Sequence, residues 1–487
     1  MSTTTTSPPP TDRYTVISAD CHAGGNMEAY REFLDPAWLD EFDAWRGDYS
    51  NPFRDLQGSG RSRNWDDERR VGEQEQDGVV AEVVFPNTVP PFFPTGAVVA
   101  YPPTPEEYPA RLAGIRAHNR WLADFCGRFP ERRAGVGQIF VNDVDDAIAD
   151  VRFAAEHGLR GGVLLPSVPP DAKFLDPLYS ERYDPLWAAC QDLGVVVNNH
   201  SGSGSPDYGD HLAAGAVWIA EQTFFSRRTL THLLFGGVFE RFPGLRFVIT
   251  EQGSSWIPDT LAQLDAIHAQ MKRGRIGELK YGPDEILPLT PSEYFHRNVW
   301  VAASFPSRRE AETRHEIGID HYLWGSDYPH YEASYPYTRE LLRKAFAGEE
   351  PGEIQRVLAA NAAELYGFDL EALAPLSPAP AAITFRACNT PDPARPACTG
   401  CWSGVPPQDC SNPLSTRPDE VDQAKLLETF LTYVQAKRAA PVRFDDAILL
   451  TTRDFAATGL ELSFVASTCS QLGGGVLQVR PTSSPQF

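Results

Sequence analysis

The stretch Tyr14-Thr-Val-Ile-Ser-Ala-Asp20-Cys21-His22 reads as a buried strand that ends in ligand-type side chains. Two further apolar runs end the same way: Val195-Val-Val-Asn-Asn-His200 and Tyr322-Leu-Trp-Gly-Ser-Asp327-Tyr-Pro-His330. Glu251 follows a fourth run, 246–250. Residues far apart in sequence but equivalent in local context predict a barrel whose strand ends converge on one metal ion. Positions i and i+2 of a strand share a face, so Asp20 and His22 can reach the same ion. Cys21 faces the other way and reads as a small buried residue.

Working outward, eight strand-like runs cover about 14–19, 78–85, 135–141, 161–165, 195–199, 246–250, 298–303 and 322–326. Helical patterns fall between many of them: Pro105 to Phe129, Val144 to His157, Pro185 to Leu193, Gly215 to Phe239 and Pro258 to Lys272. Strand and helix alternating eight times predict a (β/α)8 TIM barrel of the α/β class, with residues 12–370 forming it. An open doubly wound sheet is the alternative, but no glycine-rich phosphate loop follows the first strand. Segments 23–77 and 86–134 are long insertions, expected to roof the pocket. His118, His157, His211, His232, His268 and His315 fall in or near helical segments and read as structural or surface residues.

Composition excludes several partners. The chain has 487 residues, 42% hydrophobic, and 43 basic against 65 acidic residues give a net charge of −22. Without a Lys/Arg cluster, neither nucleic acid nor an anionic membrane is expected, and a small-molecule substrate is. The first ten residues lack the basic start and apolar core of a signal peptide, and no run is long and apolar enough to span a bilayer. A cytoplasmic location is the expectation; assembly into a homo-oligomer is left open.

The motifs Ser18-Ala-Asp20-Cys-His22, Asn199-His200, Phe242-Pro-Gly-Leu-Arg-Phe-Val-Ile-Thr-Glu251-Gln-Gly and Gly325-Ser-Asp327-Tyr-Pro-His330, in that order, resemble the amidohydrolase-related metal enzymes. More narrowly, they resemble the branch of aminocarboxymuconate semialdehyde decarboxylase and related aromatic-acid decarboxylases. The closing segment Val357-Leu-Ala-Ala-Asn361-Ala-Ala-Glu-Leu-Tyr366-Gly-Phe is similar to the end of that branch. The resemblance implies Asp20, His22, His200 and Asp327 as ligands of one divalent metal, zinc first, with manganese or iron as alternatives. Strand four, Gly162-Val-Leu-Leu-Pro-Ser, has no lysine, which disfavours the bridged two-metal form. The family often has a histidine where this chain has Glu251.

Two carboxylates and two neutral imidazoles already neutralise a divalent ion, and a third carboxylate would weaken its Lewis acidity. Glu251 therefore reads as an acid or base beside the metal, its pKa raised by neighbouring carboxylates; capping the next helix is its structural alternative. The leading function is a hydrolase acting on a small organic acid, amide or ester through metal-activated water. There Asp327 takes the proton and Glu251 or His330 protonates the leaving group. The alternative is non-oxidative decarboxylation of an aromatic or unsaturated acid at the same site; a third is a catalytically inactive barrel scaffold. Trp65, Phe85, Phe92, Phe93, Trp256 and Tyr328 are candidates for an apolar wall, and Arg61, Arg63, Arg69 and Arg70 for a carboxylate clamp or surface ion pairs.

Residues 1–11 read as a disordered N-terminus, 371–385 as a Pro/Ala-rich linker, and 386–487 as a separate extension of uncertain fold, a fused fragment in character. The extension holds Cys388, Cys398, Cys401, Cys410 and Cys469. This odd set fits neither a complete disulfide framework nor a clean zinc module. Segment 424–470 resembles the first half of an adamalysin-type metalloprotease domain, but no His-Glu-x-x-His follows, so no peptidase activity is expected from it.

Overall fold

The computed structural model describes residues 14–50, 58–87, 89–95, 97 and 100–376, together with the backbone of strands 460–465 and 476–481. The chain divides into two compact units, Met1–Ala387 and Cys388–Phe487. In the second, Leu460–Val465 and Val476–Pro481 pair antiparallel. The cysteine-bearing stretches and most of segment 424–470 lie outside the described residues.

The first unit is the expected barrel. Its strands are β1 (Ile17–Ala23), β2 (Ala81–Pro86), β3 (Arg133–Gln138), β4 (Gly162–Leu164), β5 (Val197–His200), β6 (Phe247–Thr250), β7 (Val299–Ser304) and β8 (Tyr322–Gly325). Consecutive members pair in parallel and in chain order. The seam between β8 and β1 closes just beyond the last strand: Asp327 N donates to Asp20 O at 2.8 Å and His22 N to Tyr328 O at 2.6 Å. Parallel strands need long crossovers, and helices Tyr108–Gly127, Val144–Glu156, Asp184–Asp192, Ala214–Phe235 and Ile257–Lys272 supply them where the apolar periodicity predicts.

Strand β1 differs from its expected 14–19 in running on through His22. Ser18 pairs with Glu82 but Cys21 with Val84, so β1 spends one extra residue there. This bulge inverts the inside–outside alternation. Ile17 and Ala19 pack inside the barrel while Val16 and Ala23 join the outer layer. After the bulge Asp20 and His22 also face inward, and Cys21 turns to Ser326 at 3.2 Å. Gly162, at φ +91°, allows β4 to lie against β5, since a Cβ there would meet Val196 O at 2.0 Å. The far end of the barrel interior is plugged by Ala359, Ala362, Leu365 and Tyr366 of the closing segment.

The insertion after β1 has helices of its own. Asp67–Asp77 starts on Asp66, whose side chain accepts from Arg69 N, and ends at Gly78 with φ 96°. Helix Pro291–Asn298, ahead of β7, begins with a Thr290/Glu293 capping box. Among the described residues no helix is long and apolar enough to cross a membrane.

Candidate metal centre

Six side chains from four strand ends, those of β1, β5, β6 and β8, meet at the C-terminal mouth of the barrel. His22 Nε2 lies 3.3 Å from Asp20 Oδ1 and 3.2 Å from Asp327 Oδ1. His200 Nε2 lies 3.3 Å from Asp20 Oδ1 and 3.4 Å from Glu251 Oε2. His330 Nδ1 approaches Asp327 Oδ1 to 2.6 Å, and its ring stacks on His22 with centroids 4.0 Å apart. Asp20–His22–His200, His22–Asp327–His330 and Asp20–Glu251–Asp327 each bring one donor atom per residue within 4.8 Å of the others, so each trio could hold an ion.

The surrounding residues aim these donors. His22 Nδ1 bonds the Pro86 carbonyl at 3.1 Å and His200 Nδ1 the Ser201 carbonyl at 3.2 Å. A carbonyl only accepts, so both rings carry a hydrogen on Nδ1 and turn Nε2 inward, the usual way a protein aims imidazole at a metal, which would replace any proton held there. Ser304 Oγ donates a short hydrogen bond to Asp20 Oδ2, and Ser201 Oγ donates to Glu251 Oε2 at 2.7 Å. Glu251 and Asp327 sit at φ 54° and 61°, a left-handed conformation that costs energy for residues with a Cβ and clusters at functional sites. A divalent cation fits this set. His22 Nε2 and Asp327 Oδ2 are buried and make no hydrogen bond, a costly arrangement that a bound cation would relieve.

Burial dominates the electrostatics, and the partners decide its outcome. For Asp20 burial works to raise the pKa, yet the hydrogen bond from His200 and the close approach of the His22 ring hold the carboxyl well below its usual range. Asp327 is lowered against burial by the charge of His330 and the close approach of the His22 ring. Burial would depress the imidazoles, but Asp20 and Asp327 lift His22 to about 10, and Asp20 with Glu251 lifts His200 to about 9. Glu251 is raised to about 7, by burial first and then by the charge of Asp327, with His200 pulling the other way.

Asp20, His22, His200, Glu251, Asp327 and His330 are thus brought together as the sequence suggests. The capping alternative for Glu251 is not what the structure shows, because the following helix starts at Ile257 with Trp256 at its cap. Phe85 lines the site, its ring 5.0 Å from that of His200. Tyr328 does not serve as a wall, since it is buried with its hydroxyl on Glu73 at 2.8 Å, and the Trp256 indole nitrogen bonds the Gln252 and Gly253 carbonyls. The arginine clamp also needs correction. Arg70 is fully buried, paired with Glu82 at 2.5 Å, and donates to the His22 carbonyl at 2.8 Å, so it braces β1 from behind. Arg63 and Arg69 both pair with Glu73. Sequence reasoning missed Ser201, Ser304, Asn64 and Asn87. Ser201 and Ser304 sit directly after or at the ends of strands, a positional signal that could have found them.

An eight-stranded barrel with carboxylates and imidazoles converging at its C-terminal mouth is the scaffold of a metal-dependent enzyme, hydrolase or carboxy-lyase. The sequence profile of the amidohydrolase family, described as "Amidohydrolase", matches residues 20–368, and the chain belongs to that family. A hydrolase and a carboxy-lyase both fit this membership. Among curated proteins no match is found. Solved structures share the fold. 5-Carboxyvanillate decarboxylase from Sphingomonas paucimobilis is 19% identical, with TM-score 0.54 over 73% of this chain and 100% of that one. An amidohydrolase from Mycobacterium avium subsp. paratuberculosis K-10 is 20% identical, with TM-score 0.52 over 73% and 99%. A dihydroxybenzoic acid decarboxylase from Polaromonas sp. JS666, with bound manganese and the inhibitor 2-nitroresorcinol, is 16% identical, with TM-score 0.51 over 73% and 97%.

Proposed function

We propose that the chain is a metal-dependent, non-oxidative decarboxylase of a small aromatic or unsaturated carboxylic acid. The observation that carries this reading is Glu251: a partly buried carboxyl raised to about 7, 3.4 Å from His200 of the donor set, is an acid suited to protonate carbon near neutral pH. Asp20, His22, His200 and Asp327 would hold one divalent ion, zinc or manganese, and the manganese-bound Polaromonas decarboxylase supports the second. When bound, the metal supplies positive charge for the substrate carboxylate and a neighbouring oxygen. Glu251 gives its proton to the carbon that bears the carboxylate. The carbon–carboxylate bond then breaks, its electron pair restores the ring or alkene, and carbon dioxide leaves. Ser201 holds the Glu251 carboxylate in place while it is reprotonated from solvent. Phe85 covers one side of a flat substrate.

Hydrolysis is the second reading, favoured by the Asp327–His330 contact, which suits removal of a proton from water and its return to a leaving group. The two separate experimentally. Protein loaded with zinc or manganese and offered hydroxylated benzoic acids, simple amides and esters should release carbon dioxide from an acid. Cleavage of amides or esters without carbon dioxide would replace the first reading with the second.

A further inference from the structure

The ring of His330 is reached by a chain of amides that starts well outside the donor set. Asn64, fully buried, donates from Nδ2 to the backbone carbonyl of Arg61 at 3.0 Å. Asn87 Nδ2 meets Asn64 Oδ1 at 2.5 Å, and Asn87 Oδ1 lies 3.1 Å from His330 Nε2. The direction of every bond follows from the first. A backbone carbonyl can only accept, so the amide nitrogen of Asn64 must face Arg61 and its oxygen must face Asn87. Asn87 then has to present its nitrogen to Asn64 and its oxygen to His330. An oxygen at that distance calls for a hydrogen on Nε2. Turning either amide over would set two acceptors or two donors against each other in a part-buried place, at a cost comparable to a lost hydrogen bond.

We infer that Asn64 and Asn87 are positioning residues that fix a hydrogen of His330 on Nε2, so that Nδ1 is the ring atom turned to Asp327 Oδ1, 2.6 Å away. His330 is thereby the reverse of His22 and His200, whose hydrogens sit on Nδ1 against carbonyls and whose Nε2 atoms face the donor set. The three imidazoles are oriented differently: two turn Nε2 to the donor set, and one turns Nδ1 to Asp327. This assignment deepens the proposed reaction and rests on it for what the Asp327–His330 contact does there; the polarity of the relay rests on the hydrogen bonds alone.

The test needs no substrate. Full-length protein labelled with ¹⁵N-histidine is measured near neutral pH by long-range ¹H–¹⁵N correlation, metal-free and with zinc, and His330 is assigned from the signals lost in His330→Asn. Wild-type protein should show a hydrogen-bearing Nε2. Asn64→Leu frees the Asn87 amide to turn over, and the Nε2 hydrogen should be lost or become partial. Asn87→Leu removes the acceptor itself and should do the same should Asn64→Leu fail to fold. Asn87→Asp keeps an acceptor and should retain the hydrogen. A bare Nε2 in the wild type, or an Nε2 unchanged in the leucine variants, would overturn the assignment. A hydrogen-bearing Nε2 in a protein that decarboxylates none of the acids offered would uphold the relay and count against the reaction, so the two failures are distinguishable.

Discussion

Gly325 lies directly behind Asp20: a Cβ at Gly325 would sit 2.5 Å from the Asp20 Cβ. The end of β8 therefore sets how deeply Asp20 can seat in the mouth of the barrel. Gly325→Ala should cost about 1–3 kcal/mol through overpacking and displace Asp20 from His22 and His200. Metal affinity should fall even where the protein remains folded. Unaltered affinity would show that Asp20 is not needed close to the ion.

Protons and metal compete for the same imidazoles. In the metal-free protein Asp20 and Asp327 raise His22 to about 10, and Asp20 and Glu251 raise His200 to about 9, so both hold protons at pH 7. A metal must displace them. Affinity should therefore rise with pH from 6 towards 9, with protons released to the buffer, which calorimetry in buffers of different ionisation enthalpy would measure. The sign is opposite for the fold without metal: a raised imidazole pKa stabilises it fully below about 6.5, the unfolded value, and that contribution is lost as pH climbs through about 9 to 10. Metal affinity independent of pH would contradict this picture.

Arg70 tests the corrected role of the first insertion. Replacing one partner of a buried ion pair leaves the other uncompensated, so Arg70→Met should lose about 3–5 kcal/mol of stability, read by denaturant unfolding. A substrate clamp would behave differently, with stability kept and KM raised.

Glu251→Gln keeps shape while removing titration. Metal content should stay and turnover fall by roughly 10²–10⁴. A parallel loss of metal would make Glu251 a ligand, and an unchanged rate would transfer the proton to His330.

The barrel was legible because its strands are short apolar runs in parallel order and its crossovers show helical periodicity. The register of β1 was not. Alternation alone places Ile17 and Ala19 on the face opposite Asp20, and only the bulge, set by pairing with a strand some sixty residues away, turns Asp20 and His22 inward. The six site residues could be read because ionisable groups at the ends of apolar strands stand out from their surroundings. Ser201, Ser304, Asn64 and Asn87 are ordinary polar residues whose roles arise from partners brought near by folding. Arg70 misled for the converse reason: an arginine in a charged insertion looks exposed until Glu82 of β2 is folded against it.

Metal content tests the central claim most directly. Full-length protein and His200→Ala, purified alike, are stripped and then reloaded with zinc or manganese before elemental analysis. Wild type should hold one divalent ion per chain, and His200→Ala should hold little or none while keeping the wild-type circular dichroism. Wild-type protein that binds no ion, or a folded His200→Ala variant that binds it as well as wild type, would contradict a metal centre built on Asp20, His22, His200 and Asp327.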